Sequence, residues 1–241
     1  MVTAWPKRFS RIDPLKGWAV ATPWRRRGFM TIGAVLIIAL AMLFDRQLAQ
    51  LAQALPEPLK ELFRFITRFG KSEWYLIPSA LGALGLWVAG RASLTLAAER
   101  LYRRYAQLCL FVFIAVASSG ILVNILKVLF GRARPRLLVD DVYGFSYLRQ
   151  SWDYASFPSG HANTAIAVGL SLAFLFPRFR AALLTVAVIV ALSRIGVSAH
   201  YLSDVIAGGM LAVVTTYFWK DWFTRRGMPP SLIPPGKTGR A

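Results

Sequence analysis

The sequence predicts an all-α fold: a bundle of six transmembrane helices, with an amphipathic helix on the outer surface between helices one and two. Three observations predict it. The chain is 56% hydrophobic, with a mean hydropathy of +0.49, richer in apolar residues than an ordinary soluble domain. Those residues come in blocks that approach the ~20 needed to cross a bilayer. The net charge of +18 lies between the blocks, as in a multi-pass protein with basic cytoplasmic loops, and this argues against a nucleic-acid partner.

Taken in order, residues 1–27 form a basic arm expected in the cytoplasm, with Trp5, Trp18 and Trp24 as interfacial anchors. The first span is Gly28–Phe44. Ala52-Gln53-Ala54 resembles a cleavage site, but it lies well past the apolar run, so this span is expected to stay uncleaved. In the first outer segment, 45–73, Leu59, Leu62, Phe63, Ile66 and Phe69 recur at helical spacing between charged residues. That pattern describes a helix lying on the membrane surface or one packed on the bundle.

The remaining spans are Trp74–Gly90, Tyr105–Leu126, Ala162–Phe176, Ala181–Val197 and Val205–Trp219. Pro177-Arg178-Phe179-Arg180 makes a hairpin turn between the fourth and fifth, with proline as the stop. The membrane domain thus covers 28–220, and a flexible tail is expected over 221–241. Cys109, the single cysteine, sits inside a span, which excludes an intramolecular disulfide and a thiolate metal site.

Charge sets the orientation. The arm, the 91–104 loop, the 178–180 turn and the chain after Trp219 hold eighteen of the 29 Lys and Arg residues against three acids. The positive-inside rule places that side, and both termini, in the cytoplasm. On the opposite face helix three ends, helix four begins, helix five ends and helix six begins. Those four places carry Lys127 with Arg134, Ser159-Gly160-His161, Arg194, and His200 with Asp204. Both histidines of the chain are among them.

Lys127, Arg134 and Arg194 suit a multiply charged oxyanion, for which phosphate is the obvious candidate. Lys127 and Arg134, seven apart, are expected to share a face of a continued helix that Pro135 ends. Backbone N–H groups around Gly160, at a helix N-terminus, and the Ser159 hydroxyl add donors. Asp204, four residues after His200, is expected to bond one ring nitrogen and leave the other as a nucleophile. His161 then protonates the leaving oxygen. No metal or other cofactor is required for this route, because cations and amides neutralise the phosphoryl charge. Arg132 and Arg136 read as ordinary interfacial cations, Asp140 and Asp141 as turn residues, and the aromatics of 136–157 as an interfacial belt or a lid.

Lys127-x6-Arg134-Pro135, Pro158-Ser159-Gly160-His161 and Ser193-Arg194-x5-His200-x3-Asp204 together resemble the three-part signature of the type 2 phosphatidic acid phosphatase superfamily. That superfamily also includes vanadium-dependent haloperoxidases. The resemblance implies His200 as nucleophile, His161 as acid, Asp204 as the carboxylate partner of His200, and Lys127, Arg134, Ser159, Gly160 and Arg194 as phosphate ligands. It implies a lipid phosphatase of the bacterial inner membrane with its site on the outer face. Its substrate would be a phosphate of lipid A, undecaprenyl pyrophosphate, phosphatidic acid or phosphatidylglycerol phosphate. The competing readings are vanadate-dependent haloperoxidase chemistry and a non-enzymatic lipid or phosphate carrier. A carrier has no use for the histidine pair.

Overall fold

The structure, a computed structural model, describes residues 23–149 and 151–232. Most of the predicted arm, with Trp5 and Trp18, lies outside the described residues, as do the side chain of Trp24 and the chain past 232. Two compact units are present, Met1–Ile37 and Ile38–Ala241. In the first, the described residues belong to helix α1 (Pro23–Met42), which starts five residues before the predicted span. The second holds α2 (Asp45–Gln53), α3 (Glu57–Thr67), α4 (Glu73–Arg91), α5 (Leu96–Phe130), α6 (Gly160–Leu175), α7 (Arg180–Gly196) and α8 (Leu202–Arg225). Among the described residues there is no strand, only an isolated bridge between Arg132 and Phe145.

Three stretches, Leu96–Phe130, Pro177–Gly196 and Leu202–Arg225, are long and apolar enough to cross a membrane. A fourth counts if Gly28–Met42 and Asp45–Gln53 make one broken span. This is fewer than the six expected. The 16-residue α6 is only ~24 Å long at ~1.5 Å per residue, against a hydrocarbon core of ~30 Å. The 19-residue α4 has Glu73 in its first turn and Arg91 in its last.

The core is built around α6. It is apolar on all sides and packs on α5, α7 and α8, as a helix without a polar face must. At one end Leu108, Phe111, Leu175 and Phe223 form a buried cluster that Trp219 and Trp222 extend. That packing carries α8 to Arg225, four residues past the start of the expected tail. Arg104 also donates to the carbonyls of Pro229 and Ser231. The 45–73 segment forms two helices and a short 3-10 turn at Arg68–Gly70. Its α3 rests on α7, where Phe63 lies directly over Gly196.

The end of α5 corrects one expectation. The helix stops at Phe130, and Gly131 caps it in the left-handed region at φ 53°. Arg134 is therefore outside the helix that carries Lys127. The following loop is stitched to itself by backbone bonds, including Ser146 N–H to Gly131 O at 2.8 Å and Ser156 N–H to Arg132 O at 3.1 Å.

Candidate active site

Four chain segments meet at the far end of this core. The first turn of α6 is capped by Ser159, whose Oγ accepts from Ala162 N–H at 3.4 Å. Ser159 N–H donates to the carbonyl of Asp204 at 2.9 Å. The approach is so close that a Cβ on Gly208 would stand 2.3 Å from Ser159 O. Lys127 Nζ comes within 3.6 Å of the position a Cβ would take on Gly160. A cation thus faces the helix N-terminus, where N–H groups lack intrahelical acceptors.

Arg134 is 4% exposed and fixed by its backbone surroundings. Nε donates to Trp152 O at 2.9 Å, Nη1 reaches Ala199 O at 3.5 Å, and the guanidinium lies 4.2 Å from the Trp152 ring centroid. Burial pushes its pKa down to about 10, with the neighbouring charge of Arg136 adding to the fall, so it remains a cation at neutral pH. Arg194 donates through Nη1 to Thr67 Oγ1 at 2.6 Å. Its buried Nε has no partner among the described residues, which leaves a donor for an anion. The Arg194 carbonyl accepts from Ala199 and His200 N–H, and this turn carries the chain from α7 to His200.

His200 precedes α8, whose N-cap is Tyr201, so His200 and Asp204 do not share a helix face as expected. Nδ1 lies 2.8 Å from the Ser156 carbonyl. Asp204 Oδ2 stands 3.8 Å from the same nitrogen, beyond hydrogen-bond reach. A carbonyl only accepts, so Nδ1 carries the proton and Nε2 the lone pair. Nδ1 is thus held by a backbone carbonyl where the carboxylate was expected. Burial pushes the His200 pKa down to about 4. Asp204 opposes that fall, and the charges of Arg194 and Arg134 add to it. His161, on the first turn of α6, lies under the 3-10 turn, where a Cβ on Gly70 would stand 2.9 Å from His161 Cβ.

All eight predicted residues are therefore gathered at one end of the core. Residues that the sequence did not single out complete the arrangement: Ser156 and Thr67 as hydrogen-bond partners, and Gly70 over His161. Arg132 requires a correction. Far from being interfacial, it is 0% exposed and ion-paired to Asp204 at 2.6 Å and Asp45 at 2.8 Å. Those carboxylates outweigh the burial that opposes its charge and hold it above its ordinary range. Its sequence neighbour Arg136 is surface-exposed and pairs with Asp153. The aromatics of 136–157 divide. Phe145 and Phe157 pack edge-on against Phe130 and each other, whereas Tyr147 and Trp152 are exposed.

A family model described as the PAP2 superfamily matches residues 108–228. A lipid A 1-phosphatase of Rhizobium johnstonii is 35% identical over 220 residues, covering 88% of this chain and 86% of that protein. One from Rhizobium etli is 35% identical over 224 residues, covering 88% and 90%. Among solved structures, a transmembrane PAP2-type phosphatidylglycerolphosphate phosphatase from Bacillus subtilis superposes with a TM-score of 0.55 at 20% identity, over 80% of this chain and 96% of that one. Aquifex aeolicus LpxE superposes with a TM-score of 0.53 at 21% identity, over 73% and 94%.

Proposed function

Because the chain belongs to the PAP2 superfamily and is a membrane lipid phosphatase, we propose that it removes the 1-phosphate of lipid A through a phosphohistidine on His200. The observation that carries this reading is the histidine pair at the cation cluster, in a chain 35% identical to lipid A 1-phosphatases over 88% of its length. Lys127, Arg134, Arg194, the Ser159 hydroxyl and the amides near Gly160 hold the phosphoryl oxygens. His200 Nε2 attacks phosphorus while the bond to the lipid oxygen breaks, and His161 gives its proton to that oxygen. Water then attacks the phosphohistidine, His161 takes its proton, and inorganic phosphate leaves with His200 neutral again. The cations and amides stabilise charge that is greatest in the two transition states.

In the same reading the protein lies in a bacterial inner membrane with six spans. The four candidate stretches are joined by α4 and the short α6, the site faces outward and both termini are cytoplasmic. The 57–70 segment covers the site at the outer surface. The direct test is phosphate release by purified protein from lipid A, undecaprenyl pyrophosphate, phosphatidic acid and phosphatidylglycerol phosphate. Lipid A is expected to be turned over with the highest kcat/KM and to lose the phosphate at position 1. Preference for a glycerophospholipid would overturn the substrate assignment and leave the chemistry standing.

The state of His200 adds a pH prediction. Its pKa in the folded protein is about 4, so it is neutral above that value and protonated, hence not nucleophilic, below it. kcat/KM, which reports free enzyme, is expected to fall on acidification with a limb near pH 4. An ordinary imidazole would place that limb near 6.5. An acid limb at 6 or above in the pH profile of kcat/KM would remove the buried, neutral His200 from the first step, whereas an alkaline limb reports loss of the His161 proton.

A further inference from the structure

We propose that Arg132 and Asp45 are positioning residues for the transfer step: they lock the Asp204 carboxylate and the Ser156 carbonyl, and through these the ring of His200. The inference rests on the reading of His200 as nucleophile.

The Arg132 guanidinium is fully buried. Nη1 donates to Asp204 Oδ1 and Ser203 Oγ, both at 2.6 Å. Nη2 donates to Asp45 Oδ2 at 2.8 Å and Tyr143 Oη at 3.1 Å. The rings of Tyr201, Phe145 and Tyr143 surround it at 4.4, 5.1 and 5.5 Å, where their faces favour a cation. Asp45 uses both oxygens. Oδ1 accepts from Ser203 N–H at 3.0 Å, and Oδ2 accepts from Ser203 Oγ at 2.5 Å as well as from Arg132. Asp45 thereby ties α2 to the first turn of α8.

The two oxygens of Asp204 are divided between tasks. Oδ1 belongs to Arg132. Oδ2 accepts from Ser156 Oγ at 2.6 Å and Tyr201 N–H at 2.9 Å. Ser156 is thus held by its hydroxyl on Asp204 and by its N–H on the Arg132 carbonyl. Its own carbonyl accepts the Nδ1 proton of His200. Arg132 therefore reaches the His200 ring by two routes, through its side chain and through its backbone. Three fully buried charges are a poor way to stabilise a helix end, because desolvation consumes much of the Coulomb gain. What apolar packing cannot supply is an ionised carboxylate in one fixed rotation, and this network supplies it.

The test is a mutant cycle assayed on lipid A in detergent micelles, with thermal unfolding followed in parallel. Arg132→Met is expected to lower kcat by roughly 10–100-fold, as loss of an orienting partner does, with KM within threefold of wild type. Asp45→Asn, a nearly isosteric change that keeps the Arg132–Asp204 pair, is expected to lower kcat by less, and Arg132→Lys to recover part of the loss. In the Asp204→Asn background, Arg132→Met should cost no more than about threefold further, because its effect runs through Asp204. Wild-type kcat in folded Arg132→Met or Asp45→Asn protein would overturn the inference. So would a change confined to KM, or losses that multiply fully in the double variant. Should Arg132→Met not fold, Asp45→Asn and Arg132→Lys decide the question on kcat alone. If His200→Ala or Asp204→Asn keeps wild-type turnover, the reading of the nucleophile fails. If those variants lose turnover while the Arg132 and Asp45 variants keep it, only the positioning role fails.

Discussion

Replacing His200 with alanine is expected to lower phosphate release from every phosphoester by roughly 10⁴-fold or more, the scale of losing a covalent nucleophile. The protein should remain folded. The substitution leaves the Ser156 carbonyl without its ring partner, a loss of about 1–3 kcal/mol, while the Asp45–Arg132–Asp204 network and the α6 core are untouched. A paired variant separates the two imidazoles. His161→Ala removes the proposed acid and should cost roughly 10²–10⁴-fold on lipid A, whose leaving alcohol needs a proton. It should cost much less on p-nitrophenyl phosphate, whose leaving phenolate does not. His200→Ala should be equally poor on both. The measurement is a ratio of rate constants on the two substrates for each variant. If His200→Ala retains p-nitrophenyl phosphate turnover while His161→Ala does not, the two roles are exchanged.

The residues in that prediction were legible because their chemistry is scarce and their placement is set by helix ends. With two histidines in 241 residues, finding both at apolar-block boundaries that parity puts on one side left little choice. Ser159 was legible as a donor, and it is also the N-cap of α6. Arg132 and Asp45 were not legible. A lone arginine just past an apolar helix ordinarily reaches for the interface, and nothing local marks this one as buried. Its partner lies 87 residues earlier, in a segment whose only visible signal was the periodicity of α3. The acceptor for His200 was invisible for another reason. It is a main-chain carbonyl, a group every residue carries, and only the turn between α7 and α8 brings it to Nδ1. One expected span is short for a physical reason too: α6 begins at the site itself, where Ser159 caps it.

The same distinction identifies the residue most sensitive to a single added methyl group. Gly131 has a left-handed backbone, φ 53°, and a Cβ there would stand 1.9 Å from Ser146 O. Its left-handed conformation alone costs an L-residue about 1–2 kcal/mol. The collision adds more, because the obstructing atom is backbone and is itself tied to this turn through Ser146 N–H to Gly131 O. Gly131→Ala is therefore expected to destabilise the protein by more than about 2 kcal/mol. Gly85→Ala, on α4 with nothing within 4 Å of the added carbon, should be neutral or slightly stabilising. Thermal unfolding of the two variants in one detergent gives the comparison. Catalysis should suffer beyond the stability loss, since Gly131 is the joint between Lys127 on α5 and both Arg132 and Arg134 in the loop. Opening that joint moves Lys127 and Arg134, the cations proposed to hold phosphate, apart and pulls the Arg132 guanidinium away from Asp204. At a temperature where Gly131→Ala is still folded, its kcat/KM is expected to fall at least tenfold, as a displacement of about 1 Å costs an oriented site. A variant that melts with the wild type and turns over lipid A at the wild-type rate would show that the loop, and not this glycine, sets the spacing of the cations.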